Sequence, residues 1–307
     1  MAVGAALAAP AALAALADIA APADTVPFLV VLGIAQDGGV PQAGGPDRGI
    51  ERQVVSLALV DPESGERWLF EATPDFRSQL GALDALAPTG DPTPGLAGIF
   101  LTHPHMGHYT GLMFLGHESM GAGGVPVYVP PRFAEYLATN GPWSQLVRYH
   151  NIDVRVQQPG SAVQLNERLS VTSFRVPHRE EFGEVVGYRI DGPNRRVLFI
   201  PDIDGWDDWD LAGVHLEEQL ALVDVAYVDG SFFDDGEMPG RDMSGFPHPR
   251  IRGTMDRLQA LPESERTKVR FIHLNHTNPA LDPTGNARQE IEQRGFHVAD
   301  EGERIAL

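Results

Sequence analysis

The sequence predicts an α/β fold in which two β-sheets are covered by helices. From residue 27 onward, eleven short apolar runs end in turn residues and are interleaved with six helical stretches. β-Branched and aromatic side chains dominate the runs, as pleated, half-buried surfaces prefer. So many strands with helices spaced among them call for two sheets rather than one doubly wound unit. In chain order the predicted strands are 28–34, 54–60, 67–72, 98–103 and 125–130, then 154–158, 169–176, 184–190, 195–201, 225–230 and 268–274. Helices are predicted over 74–83, 108–120, 131–138, 213–222, 249–261 and 285–294, with Pro74 and Pro249 at first-turn positions. No linker rich in Pro, Gly or Ser divides residues 25–307, which are read as one domain.

Composition excludes several classes of function. The chain of 307 residues is 43% hydrophobic and carries a net charge of −19. Phosphate backbones and anionic bilayers want clustered Lys and Arg, so neither nucleic acid nor a membrane surface is an expected partner. No apolar run in the body of the chain reaches bilayer-spanning length. The absence of cysteine removes disulfides, thiolate ligands and thiol nucleophiles, leaving His, Asp and Glu to hold any metal. Residues 1–24 form an Ala-rich leader that ends in a small-x-small site at Ala21-Pro22-Ala23, as a signal-peptidase substrate does. It lacks the positive n-region of an export signal, since the first basic residue is Arg48, and Asp18 interrupts its apolar stretch. An export signal, with a periplasmic or secreted protein, is the expectation; a loosely helical or disordered leader is the alternative.

The stretch "LTHPHMGHYTGL" (101–112) sets His103, His105 and His108 within six positions, after a predicted strand. Pro104 biases His103 toward extended backbone, where residues two apart point the same way. His103 and His105 then converge, and His108 approaches from the start of a helix. Three imidazoles suit zinc or iron with a position left open. Other predicted strands deliver further donors at their carboxyl ends: His178 in "FRVPHREEF", Asp202 in "LFIPDIDGW" and His273 in "RFIHLNHTNP", with His276 three residues on. Asp204 competes with Asp202, because the two flank Ile203 at extended spacing. "QDGG" (36–39) reads as a turn that frames the pocket, and Asp229 as a residue that lines it.

With these residues in place, the chain resembles the metallo-β-lactamase superfamily, whose signature loop reads HxHxDH. It is most similar to the branch holding pyrroloquinoline quinone biosynthesis protein B and its hydrolase or phosphodiesterase relatives, over residues 27–307. "VLGIAQDGGVPQAGG", "FEATPDFRSQL" and "HLNHTNP" carry the rest of the likeness. The resemblance implies a four-layered αββα sandwich with metals at one edge between the sheets. It implies His103, His105 and His178 on a first metal, Asp202 bridging, and His108 and His273 on a second. Glu71 stands where an Asp orients the signature loop, and His248 in "SGFPHPRI" resembles a late histidine that assists the leaving oxyanion. His276 is expected to face substrate or to back a ligand. Two departures stand out: Gly107 replaces the signature aspartate, and no cysteines exist for a structural zinc. One tightly held ion is therefore expected, Zn2+ before Fe2+ or Mn2+, with a weak second site.

The implied activity is metal-dependent hydrolysis of a small ester, lactone or phosphodiester, with water acidified by the ion as nucleophile. Asp202 would orient that water, and His248 or His276 would serve the developing oxyanion. Iron-dependent oxygenation and a catalytically silent binding module are the alternatives.

Overall fold

Alternation along the strands sets the layers. In the computed structural model, which describes residues 25–46, 49–91 and 93–307, β1 is Phe28–Gly33, β2 Ser56–Val60 and β3 Arg67–Phe70. Leu29, Val31, Leu57, Leu59, Trp68 and Phe70 join one apolar cluster, while Phe28, Val30, Ala58, Val60 and Leu69 join another. Successive side chains in a strand face opposite ways, so each of these strands is buried on both faces and reads as a continuous apolar run.

β4 (Gly98–Phe100), β5 (Val125–Val129) and β6 (Ile152–Val156) extend this sheet, and a final strand β14 (Arg304–Ala306) pairs antiparallel with β1. The order is β14-β1-β2-β3-β4-β5-β6. The second sheet contains β7 (Ala162–Gln164), β8 (Ser170–Arg175), β9 (Val186–Asp191), β10 (Arg196–Ile200), β11 (Val225–Asp229), β12 (Val269–Ile272) and β13 (His297–Val298). Its order is β13-β12-β11-β10-β9-β8-β7. The first cluster lies between the sheets and continues through the second sheet to Ile251, Met255 and Ile291 on its helices. The other packs the far face of the first sheet against Phe76, Leu80 and Leu83 of α1 (Phe76–Leu86) and Phe133 and Leu137 of α3 (Pro131–Thr139). Helices, sheet, sheet and helices make the four αββα layers that the resemblance implied.

Several elements differ from expectation, each for a local reason. The strand predicted to reach residue 103 ends at Phe100, because the chain there passes from one sheet to the other. Leu101 N–H donates to Tyr128 O (3.1 Å), whereas Thr102 O accepts from Val186 N–H (3.1 Å). The helix predicted over 108–120 is α2 (Met106–Tyr109) followed by a 3-10 segment, Thr110–Leu115. Ala72 diverts the helical ladder: its N–H donates to His108 O (2.9 Å) and its carbonyl accepts from Gly111 N–H (2.8 Å). The predicted helix 213–222 is only α6 (Leu216–Leu220) of a pair with α5 (Trp206–Leu211), and Gly213 turns between them at φ +80°. Pro74 and Pro249 each sit one residue before an N-cap, Asp75 and Arg250, rather than in the first turn. The short helix α4 (Trp143–Arg148) and the edge strands β7, β13 and β14 lie outside the predicted segments. The leader 1–24 lies outside the described residues.

Phe100 anchors the crossing chain that bears the histidines. Its ring stacks on Tyr128 (4.4 Å) and Phe70 (5.2 Å) and meets Tyr188 edge-on (5.6 Å). The Tyr188 hydroxyl donates to Leu101 O at 2.6 Å. Phe100→Ala is expected to cost about 3–5 kcal/mol, read as a lower denaturant midpoint at unchanged slope.

Candidate metal centre

One edge of the sandwich collects the polar side chains. β10, β11 and β12 are parallel, so Asp202, Asp229 and His273 leave their carboxyl ends side by side. His178 follows β8, and Glu71 and His103 follow the neighbouring parallel strands β3 and β4 of the other sheet. Backbone strain gathers here: Glu71, His248 and His273 have φ of 75°, 94° and 65°, and only His150 among the other described non-glycine residues is positive. Such conformations cost about 1–3 kcal/mol each and persist where surrounding structure over-determines them.

His103, His105, His178 and Asp202 form the first group, with all four donor atoms within 4.8 Å of one another. His103 Nε2 lies 2.8 Å from His105 Nδ1, which lies 3.3 Å from His178 Nε2. Asp202 stands 3.4 Å from His103 Nε2 and 3.5 Å from His178 Nε2. The far nitrogen of each ring is already engaged. His178 Nδ1 pairs with Asp204 (2.7 Å) and His105 Nε2 with Glu181 (3.0 Å). His103 Nδ1 reaches Thr102 Oγ1 (2.8 Å), whose own proton goes to Glu71 at 2.5 Å. Each far nitrogen therefore carries the N–H, and three lone pairs face one another around a carboxylate. Outer partners of this kind fix the tautomers of metal-binding histidines.

The second group is His108, His273 and Asp37, and Asp202 and His248 join it to the first. His108 Nε2 is 3.2 Å from Asp37 Oδ1 and 3.4 Å from Asp202 Oδ2, and its Nδ1 is 3.4 Å from Glu71. His273 Nε2 lies 3.6 Å from Asp202 and 3.8 Å from Asp37. Its Nδ1 donates to Ser231 Oγ (2.8 Å), which donates onward to Asp229 (2.8 Å). His248 Nδ1 donates to Asp229 at 2.8 Å and stands 3.1 Å from Asp202. Asp229 is saturated, because Ile203 N–H and Ser231 N–H also donate to it.

These side chains fit a cation. Among the described residues, nine buried polar side-chain atoms lack a hydrogen-bond partner, and five of them belong to this cluster: Asp37 Oδ1, both His108 nitrogens, Asp202 Oδ1 and His273 Nε2. Buried polar atoms are ordinarily paired, so their concentration between two histidine groups marks a place for a positive ion.

Charge within the cluster is strongly perturbed. Burial, together with the charge of His108, holds His103 well below the usual imidazole range; burial also lowers His105. Burial opposes the charged form of His108 too, but Glu71, Asp202 and Asp37 outweigh it and raise His108 well above that range. His248 rises to about 10, as Asp229 and Asp202 overcome its burial. Asp202 falls well below the carboxylate range despite burial, because His273, His178 and His248 surround it. A dication held by these residues would supply the positive charge that the protons supply here.

The structure brings His103, His105, His108, His178, Asp202, His248 and His273 together. It separates the two aspartates: Asp202 enters the cluster, while Asp204 stands behind His178. His276 is not brought in; it lines a separate cavity of about 410 Å³ with Val40, Ile50 and Asn278. Sequence reasoning missed Asp37, having taken "QDGG" as a framing turn. An acid just past the first strand, beside a signature loop short of one carboxylate, was the available signal.

Fold and cluster define a protein of the β-lactamase superfamily. The family described as the beta-lactamase superfamily domain matches residues 66–276, and the chain belongs to it. It is similar to coenzyme PQQ synthesis protein B of Rhizobium meliloti, with 29% identity over 91% of this chain and 97% of that protein. The protein of the same name from Cupriavidus necator is 26% identical over 90% of this chain and 98% of its own. In fold it resembles Zn(2+)-bound PqqB from Methylobacterium extorquens, with a TM-score of 0.74 and 24% identity over 91% of this chain and all (100%) of that one. It also resembles a diphosphatase from the PhnP family, with a TM-score of 0.62 and 19% identity over 92% and 97% of the two chains.

Proposed function

We propose that the protein is a metal-dependent hydrolase of a small ester, lactone or phosphodiester. The observation that carries this reading is the convergence of three imidazole lone pairs on Asp202, each ring held from behind by Thr102, Glu181 or Asp204. His103, His105, His178 and Asp202 would hold one divalent ion, which when bound acidifies water and polarises a scissile carbonyl or phosphoryl group.

The remaining chemistry belongs to this chain. Asp202, reached by five histidines, keeps its negative charge and so can orient an attacking water and take up its proton transiently. The Nδ1–H of His248 is held by Asp229, which leaves Nε2 as the end that can donate to a leaving oxygen. Asp229, fully buried and fixed by Ile203 and Ser231, positions His248 from behind.

A panel of chromogenic esters, lactones and phosphodiesters tests the reading. Hydrolysis of one class is expected, abolished by chelator and restored by Zn2+ or Mn2+. The resemblance in the sequence carries a second reading, Fe2+-dependent oxygenation at the same histidines, and the long match to coenzyme PQQ synthesis protein B supports a role in coenzyme synthesis. Oxygen uptake on iron loading, with no hydrolysis by the zinc or manganese form, would replace the first reading with the second.

A further inference from the structure

Gly107 occupies the place where the signature loop of the resembling superfamily carries an aspartate, and nothing in the backbone requires glycine there. It lies inside α2 and its φ is not left-handed. Space does require it. A Cβ at residue 107 would come within 2.5 Å of Asp37 Cα and 2.8 Å of Asp37 Cβ, and closer still to Asp37 Oδ1. The volume that a side chain at 107 would fill already contains the carboxylate of Asp37.

The chain delivers that carboxylate by design of its backbone. After β1, Ala35 bridges both Val54 and Leu274, the residue next to His273. Gln36 N–H donates to Leu274 O (2.9 Å), and Leu274 N–H donates to Ile34 O (2.8 Å). A turn follows, closed by Gly39 N–H on Gln36 O (2.8 Å) with Gly39 at φ +67°. Asp37 is thereby carried to His108 and His273. Its side chain is 46% exposed, yet Oδ1 is buried and turned inward, 3.2 Å from His108 Nε2 and without a completed hydrogen bond.

We infer that Asp37 replaces the missing signature aspartate as a ligand of a second divalent ion, together with His108, His273 and Asp202. This rests on the metal-centred reading of the cluster. The donor set is two imidazole Nε2 atoms and two carboxylates, and its two negative charges compensate a dication. His273 presents its lone pair, because its Nδ1–H is held by Ser231. On this inference the second site is no longer the weak one expected from Gly107, because position 37 supplies the carboxylate that position 107 does not. The same contact leaves no room beside Asp37 for Gly107→Asp, which should therefore impair the second site.

Titration of the metal-free full-length protein with Zn2+ against a chromophoric chelator tests the inference without any substrate. Wild type is expected to take two equivalents. Asp37→Asn should keep the first and weaken the second by at least tenfold, the lower end of the ~10–100-fold that loss of even an outer-shell partner costs. Gly107→Asp alone should weaken the second equivalent as well, and the exchange Asp37→Gly with Gly107→Asp should recover part of it. Circular dichroism confirms that each variant is folded; a Gly107→Asp protein that fails to fold leaves Asp37→Asn, on the half-exposed side chain, to decide. Two equivalents of unchanged affinity in Asp37→Asn would overturn the inference, as would a single equivalent in wild type. No uptake at all would instead remove the metal-centred reading itself.

Discussion

His103→Ala is expected to strip the first ion and to reduce turnover to background. His103 is fully buried, and its Nε2 is the point nearest both His105 Nδ1 and Asp202 in the first group. The variant removes one of three imidazoles from an all-histidine face. It also frees Thr102 Oγ1, which links His103 to Glu71 and so to the carboxylate beside His108. Losing an outer partner alone costs ~10–100-fold in metal affinity, and losing a ligand should cost more. His178→Ala should behave alike, since it removes the ring that Asp204 orients. Metal content after dialysis and turnover on the responsive substrate are the measurements. A His103→Ala protein with full metal content and full activity would show that the convergence has no functional meaning.

Asp202→Asn separates chemistry from assembly. The amide keeps the size of the carboxylate but loses the charge that five histidines face from 3.1 to 3.6 Å. It is a poor base and a weak ligand. With metal saturating, kcat is expected to fall by about 10²–10⁴-fold, the range of positioned acid–base catalysis. His248 retains Asp229 and should keep its place. Near-wild-type turnover at saturating metal would move the proton-accepting role off Asp202.

Much of this molecule was legible in the sequence because the relevant signals are local. Strands buried on both faces announce themselves as unbroken apolar runs, and β1, β2, β10 and β11 fall inside the predicted segments. Histidines and carboxylates just beyond such runs mark one sheet edge whatever the order of the strands. What stayed hidden depends on long-range register. Asp37 reaches His273 only because the chain after β1 bonds to Leu274, where Gln36 and Asn275 meet across 239 positions. Asp202 and Asp204 are equivalent by spacing, and only the position of His178 between the sheets tells ligand from orienting partner. Short helices such as Trp206–Leu211 owe their existence to tertiary burial, here of Trp206 and Trp209, rather than to a long periodic pattern.

The central claim is that this edge of the sandwich holds a divalent ion. Elemental analysis of the full-length protein, purified without added metal or chelator, tests it most directly. At least one transition-metal ion per chain is expected, reduced in His103→Ala and in His178→Ala. Protein that carries none, and takes up none when Zn2+, Mn2+ or Fe2+ is supplied, would contradict it.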